Sequence, residues 1–96
     1  LANDFTMVFP GGVSFKKIED LISWSSKRYR HVKKSFENFD TSFNGLNATV
    51  FCNGYLEGTW LSGEIFSQIR FIDRFSVSDM KITSQSVWND MGESLR

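Results

Sequence analysis

Several things are scarce in this chain, and each scarcity closes off a class of answers. The single cysteine, Cys52, cannot form an internal disulfide, and one Cys with one His, His31, cannot assemble a zinc site. No metal and no cofactor are expected. Eleven basic and eleven acidic residues cancel to a formal charge of zero, which leaves no global field to recruit nucleic acid or an acidic membrane. No apolar run reaches the length of about 18 residues that a membrane span needs, and no basic-then-apolar leader is present. With no repeat and no low-complexity segment, 96 residues make one domain, 1–96, near the lower limit for a single core. A lone thiol and the missing leader read as a cytoplasmic chain. It begins at Leu1 rather than Met, and so reads as a processed form or a piece of something longer.

Aromatic side chains, by contrast, are plentiful: ten Phe, three Trp and two Tyr. They bury the most area per residue, and placing them requires two covered surfaces. The stretch 65–77 alternates with period two, predicting a strand with Ile69, Phe71, Asp73, Phe75 and Val77 on one face and Gln68, Arg70, Ile72 and Arg74 on the other. After the turn-forming cluster at 78–81, Ile82, Thr83, Val87 and Trp88 resume the pattern, which predicts a hairpin. A two-residue turn at Asp79-Met80 pairs Val77 with Ile82, Phe71 with Trp88, Ile72 with Val87 and Arg70 with Asn89.

Upstream, 4–9 reads as a short edge strand closed by Pro10-Gly11-Gly12. Ser14 stands where an N-cap belongs, and the spacing of Phe15, Ile18, Leu21, Ile22, Ser25, Tyr29 and Val32 predicts a helix over 14–34. The cationic run 27–34 at its end suits the helix C-terminal dipole and a solvated face, and His31 within it reads as a surface histidine. A strand over 36–43, the Asn44-Gly45 hairpin signal and a strand over 47–61 follow, with Gly54 and Gly58 read as bulges or bends. A turn at Ser62-Gly63 places Tyr55 beside Arg70 and Glu57 beside Gln68. One face then carries Tyr55, Glu57, Gln68, Arg70, Gln85 and Asn89.

The run GYLEGTWLSGEIFSQIRFIDRF, then a turn and VWND, resembles the C-terminal half of the nuclear transport factor 2-like superfamily, in its SnoaL-like polyketide cyclase and ketosteroid isomerase branch. DFTMVFPGG before a helix resembles the same family's early strand. The resemblance implies an α+β fold, a strongly curved antiparallel sheet packed with one long helix, cone-like with a concave pocket face, and usually a dimer. The helices that normally precede the first strand have no counterpart here. Residue by residue, the isomerases' general base falls at a position resembling Phe9, and their protonated aspartate, the oxyanion donor, at one resembling Arg70. Steroid isomerisation is therefore disfavoured. The epoxide hydrolases' Arg and Asp two apart are not matched either, since Ile72 follows Arg70 at that spacing.

Two functions from different classes remain. The first is a small-molecule enzyme or binding protein with isomerase-, cyclase- or lyase-type chemistry on a small carbonyl or anionic compound. There Arg70 would clamp the anion, Glu57 would be the one candidate base, and Phe9, Tyr55, Gln68, Ile72, Gln85, Val87 and Asn89 would complete the substrate pocket. A plainer reading has Glu57 merely neutralising Arg70. The second function is an interaction module: a homodimer through the sheet face bearing Phe71, Phe75 and Trp88. Asp73, set among apolar neighbours on that face, argues for a specific polar contact, to Ser86 or to a partner. A cavity above about 300 Å³ would favour the first function and a plugged interior the second.

Overall fold

The computed structural model describes residues 5–91. Its elements in chain order are β1 (Thr6–Phe9), β2 (Val13–Phe15), α1 (Ile18–Ser26), β3 (Tyr29–Asn44), β4 (Asn47–Trp60), β5 (Ile65–Ser78) and β6 (Lys81–Asn89). The strands form one six-stranded sheet in the order β2-β1-β6-β5-β4-β3. All neighbours are antiparallel except β1 and β6, which run parallel. The result is an α+β fold with a mixed sheet and one helix. β1 lies inside the sheet, between β2 and β6, and is not the edge that its Pro-Gly-Gly terminus suggested.

The helix is nine residues long, much shorter than the predicted 14–34. Its helical stripe ends at Ser25. Beyond it Val32, Lys34 and Phe36 point to one side of β3 with period two, so the cationic run lies largely on a strand. Pairing along the whole of β4, from Tyr29 opposite Trp60 to Asn44 opposite Asn47, overrides a local helical preference that no glycine interrupts. Ser14, read as the cap, belongs to β2, and the helix has Lys17 as its N-cap with no side-chain cap bond.

The β5–β6 turn is at Asp79-Met80, both left-handed with φ 51° and 61°, and it pairs Val77 with Ile82 as predicted. One residue later the predicted register fails. Thr83 is an extra residue in β6, its Oγ1 donating to the Ser76 carbonyl at 3.2 Å, so Ser84 pairs with Ser76, Val87 with Asp73 and Asn89 with Phe71. A second irregularity falls at Gln68, with φ 57°, between the Leu56–Ile69 and Gly58–Phe66 pairs. Each one-residue slip moves the following side chains to the other face. Phe66 and Ile69 thereby share the helix-covered face with Phe71 and Asp73, while Arg70, Ile72 and Arg74 occupy the opposite face with Ser86 and Trp88.

The core consists of Leu56, Phe66, Ile69, Phe71 and Met91, flanked by Tyr29 and Trp60. A smaller aromatic cluster, Phe9, Phe15 and Trp24, seats the helix on β1 and β2, with ring centroids 5.5–5.8 Å apart. The predicted dimer face is not one surface. Phe71 and Phe75 lie on the helix side, with Phe71 1% exposed, whereas Trp88, 53% exposed, is on the other.

Gly54 and Gly58 serve close approach between strands. A Cβ on Gly54 would stand 1.8 Å from the Ser35 carbonyl oxygen, and one on Gly58 2.3 Å from that of His31. Both obstacles are β3 backbone, which cannot rotate away. Gly54→Ala should therefore cost about 2 kcal/mol or more. A urea midpoint equal to wild type would contradict this packing.

Candidate functional site

A cleft of about 540 Å³ opens between α1 and the sheet. Its apolar walls come from both layers: Phe9, Leu21, Trp24, Leu56, Val87 and Met91. Gln85, Asn89, Arg28 and Lys34 bring polar groups into it. Lys34 is the informative one. Its Nζ donates to Asp73 Oδ2 at 2.5 Å, and the two side chains are 32% and 1% exposed. A carboxylate so buried must be paired. The polar contact expected of Asp73 is thus to Lys34, two strands away, while Ser86 sits across the sheet beside Arg74. Lys34 also lies 5.0 Å from the centre of the Phe71 ring. In the ladder Gly54 stands between Phe36 and Phe71, whose rings meet edge to face at 5.5 Å. Among the described residues Asp73 Oδ1 is buried with no hydrogen-bond partner.

The residues singled out in the sequence divide between two places. Phe9, Gln85, Val87 and Asn89 line the cleft. Tyr55, Arg70 and Ile72 border a shallower depression of about 370 Å³ on the opposite face, which Asn89 also touches. Glu57 and Gln68 are exposed and line neither. The expected shared face is therefore split, because the slip at Thr83 carries Gln85, Val87 and Asn89 away from Arg70. Tyr55 is beside Arg70 as expected, but Glu57 does not neutralise it. Arg70, with a side chain 76% exposed, donates from Nε to Asp90 Oδ2 at 2.5 Å. That hydrogen bond pushes the guanidinium pKa further up.

No family model matches the chain, and no curated protein matches it in sequence. Solved structures do match it in shape. An NTF2-like protein of unknown function from Burkholderia pseudomallei aligns over 100% of this chain and 77% of its own, with a TM-score of 0.76 at 15% identity. A protein from Jannaschia sp. CCS1 described as a SnoaL-like polyketide cyclase aligns over 99% and 70%, with a TM-score of 0.69 at 17% identity. TerC, co-crystallised with polyporic acid, aligns over 99% and 77%, with a TM-score of 0.78 at 19% identity. The chain has the nuclear transport factor 2-like fold.

Within this nuclear transport factor 2-like fold, sequence reasoning missed Trp24, Arg28 and Lys34, and it singled out Asp73 for a polar contact without finding the partner. The signal for Lys34 was present: Val32, Lys34 and Phe36 alternate as they would on a strand, but a helical stripe was extended over them. Among the described residues no helix is long and apolar enough to cross a membrane.

Cys52 lies opposite Asp73 in the ladder and is 2% exposed. Burial pushes its thiol pKa up and the Asp73 charge adds to the rise, partly offset by Lys34. The thiol is protonated in both folded and unfolded chains at neutral pH. Above about 8.5 the unfolded chain ionises first, so this group's contribution to stability is lost as pH rises toward the folded value. Between pH 8 and 10 wild type should lose more stability than Cys52→Ala. Parallel pH curves for the two would contradict the burial of the thiol.

Proposed function

We propose that the chain is a small-molecule-binding domain of the SnoaL-like kind, using the helix-side cleft for a small carbonyl or anionic organic compound. The observation that carries this reading is the cleft itself: apolar walls, a volume of about 540 Å³ within the range of ligand sites, and a few convergent polar groups. Lys34 supplies the chemistry. One of its ammonium hydrogens is held by Asp73, and the others are free to donate to a ligand oxygen. A cation held in place there would donate to a carbonyl or carboxylate oxygen of the ligand and fix its position. The amides of Gln85 and Asn89 would orient the ligand. Asn89 Oδ1 already accepts the Met91 N–H at 3.1 Å, which leaves its NH₂ as the donor. The shape likeness to a SnoaL-like cyclase and to TerC supports this reading at the level of the fold.

The test is a thermal-shift screen of small cyclic and aromatic carbonyl compounds on wild type and Lys34→Met. At least one compound should raise the wild-type melting temperature by several degrees, as ligand at about ten times its dissociation constant does for a domain this size. That shift should vanish in Lys34→Met. The variant itself should melt lower, because it strands the Asp73 carboxylate. If no compound stabilises wild type, the binding reading fails.

The opposite face favours a second, compatible role. Ile72 and Trp88 stand paired on neighbouring strands, both exposed, with Phe51 nearby. A second copy of the chain would cover them, giving a homodimer through this face. Sedimentation showing a monomer at micromolar concentration, with Trp88→Lys no different, would remove that role.

A further inference from the structure

We propose that Arg28 is the anion anchor of the helix-side cleft, and that its ligand is a monoanion with a planar carboxylate on an apolar, ring-bearing body. The proposal rests on the cleft being the binding site, and it names the residue and the class of compound.

The backbone around Arg28 is fixed. Its N–H donates to the Ser25 carbonyl at 3.0 Å, where the helix hands over to β3. Its guanidinium carbon lies 4.6 Å from the centre of the Trp24 ring and 5.7 Å from that of Tyr29. Cation–π contacts of this kind engage the faces of the guanidinium and leave its in-plane N–H donors unused. Among the described residues Arg28 Nε is buried and has no acceptor. A cation near a helix C-terminus is favoured by the dipole alone, but that preference is satisfied by a solvated side chain. It explains neither the rings against this one nor a buried donor left open at the cost of its hydration.

The charges around the cleft point the same way. Among the described residues, Arg28 and Lys34 line it and no Asp or Glu does. Lys34 is neutralised by Asp73, so one positive charge remains uncompensated, at Arg28. One such charge matches one negative charge, and the planar fork of donors matches a carboxylate held through two bonds. Leu21, Trp24, Leu56 and Val87 would take the apolar body. Lys34 would then be left for a second oxygen function on the same ligand.

The experiment measures binding of 2-naphthoate and of 2-naphthamide, alike in shape but differing in charge, to wild type, Arg28→Gln, Arg28→Lys and Arg74→Gln by calorimetry at pH 7. Wild type should prefer the carboxylate by roughly tenfold or more, as expected for hydrogen bonds to a charged group. Arg28→Gln should erase the preference while leaving the amide's affinity unchanged, Arg28→Lys should keep part of it, and Arg74→Gln, on the opposite face, should change nothing. Unligated Arg28→Gln should still fold cooperatively and melt only slightly lower, because it loses the ring contacts but strands no charged partner. Equal binding of the two probes to wild type would overturn the anchor and leave the cleft reading standing. A preference that survives Arg28→Gln would place the anion elsewhere and also overturn it. Binding of neither probe at millimolar concentration would overturn the anchor and the cleft reading together.

Discussion

A buried carboxylate, with the lysine that reaches it from two strands away, constrains this fold more than any other single feature. Asp73 lies on β5 among Phe71, Cys52 and Val87 with almost no exposure, and an isolated charge there would be prohibitively costly. Its partner is Lys34 on β3, two strands away. To reach Asp73, Lys34 spans the intervening strand β4. Separately, Gly54, where a Cβ would stand 1.8 Å from the Ser35 carbonyl oxygen, lets β3 lie close against β4. The ion pair ties the register of β3 to that of β5 and supplies the polar floor of the cleft.

The same reasoning explains what could be read from the sequence and what could not. The pairing of Val77 with Ile82 followed from alternation about Asp79-Met80, although Met80 suits a tight turn poorly and left a wider turn open. Tyr55 lies opposite Arg70 as expected only because the slip at Gln68 offsets a turn register that differs by one, Thr59 pairing with Ile65. The slips at Gln68 and Thr83 could not be read this way. Neither is a glycine, and a bulge is decided by twist and by packing on both faces, which no window of sequence contains. Their effect is out of proportion to their size. One extra residue at Thr83 moves Gln85, Val87 and Asn89 from the side of Arg70 to the side of Asp73, and so reassigns the site. The long helix failed for a different reason: Tyr29 and Val32 fit a helical stripe as well as a strand, and only the partner strand β4 distinguishes the two.

The two faces of the sheet consequently carry different chemistry. The helix side combines apolar walls with an ion pair and the Arg28 guanidinium, whose buried Nε has no acceptor among the described residues. The opposite side combines Ile72 and Trp88 with an exposed Arg70–Asp90 pair, which is worth little to stability in water but suits a surface that meets another surface. Arg70, the most attractive residue in the sequence, belongs to that second face because its side chain alternates away from the helix.

Of the three tryptophans, Trp24 lines the cleft and Trp88 the depression on the far side, while Trp60 packs against the core and lines neither. The Trp24 and Trp88 indole N–H signals are therefore separate reporters of the two faces. Titrating 2-naphthoate into ¹⁵N-labelled protein and following both signals tests most directly that the functional site lies on the helix side. The cleft assignment predicts that the Trp24 indole signal shifts saturably, with the Arg28 and Asn89 amides, while that of Trp88 stays in place. Saturable movement of Trp88 with Tyr55 and Arg70, and none at Trp24, would contradict it.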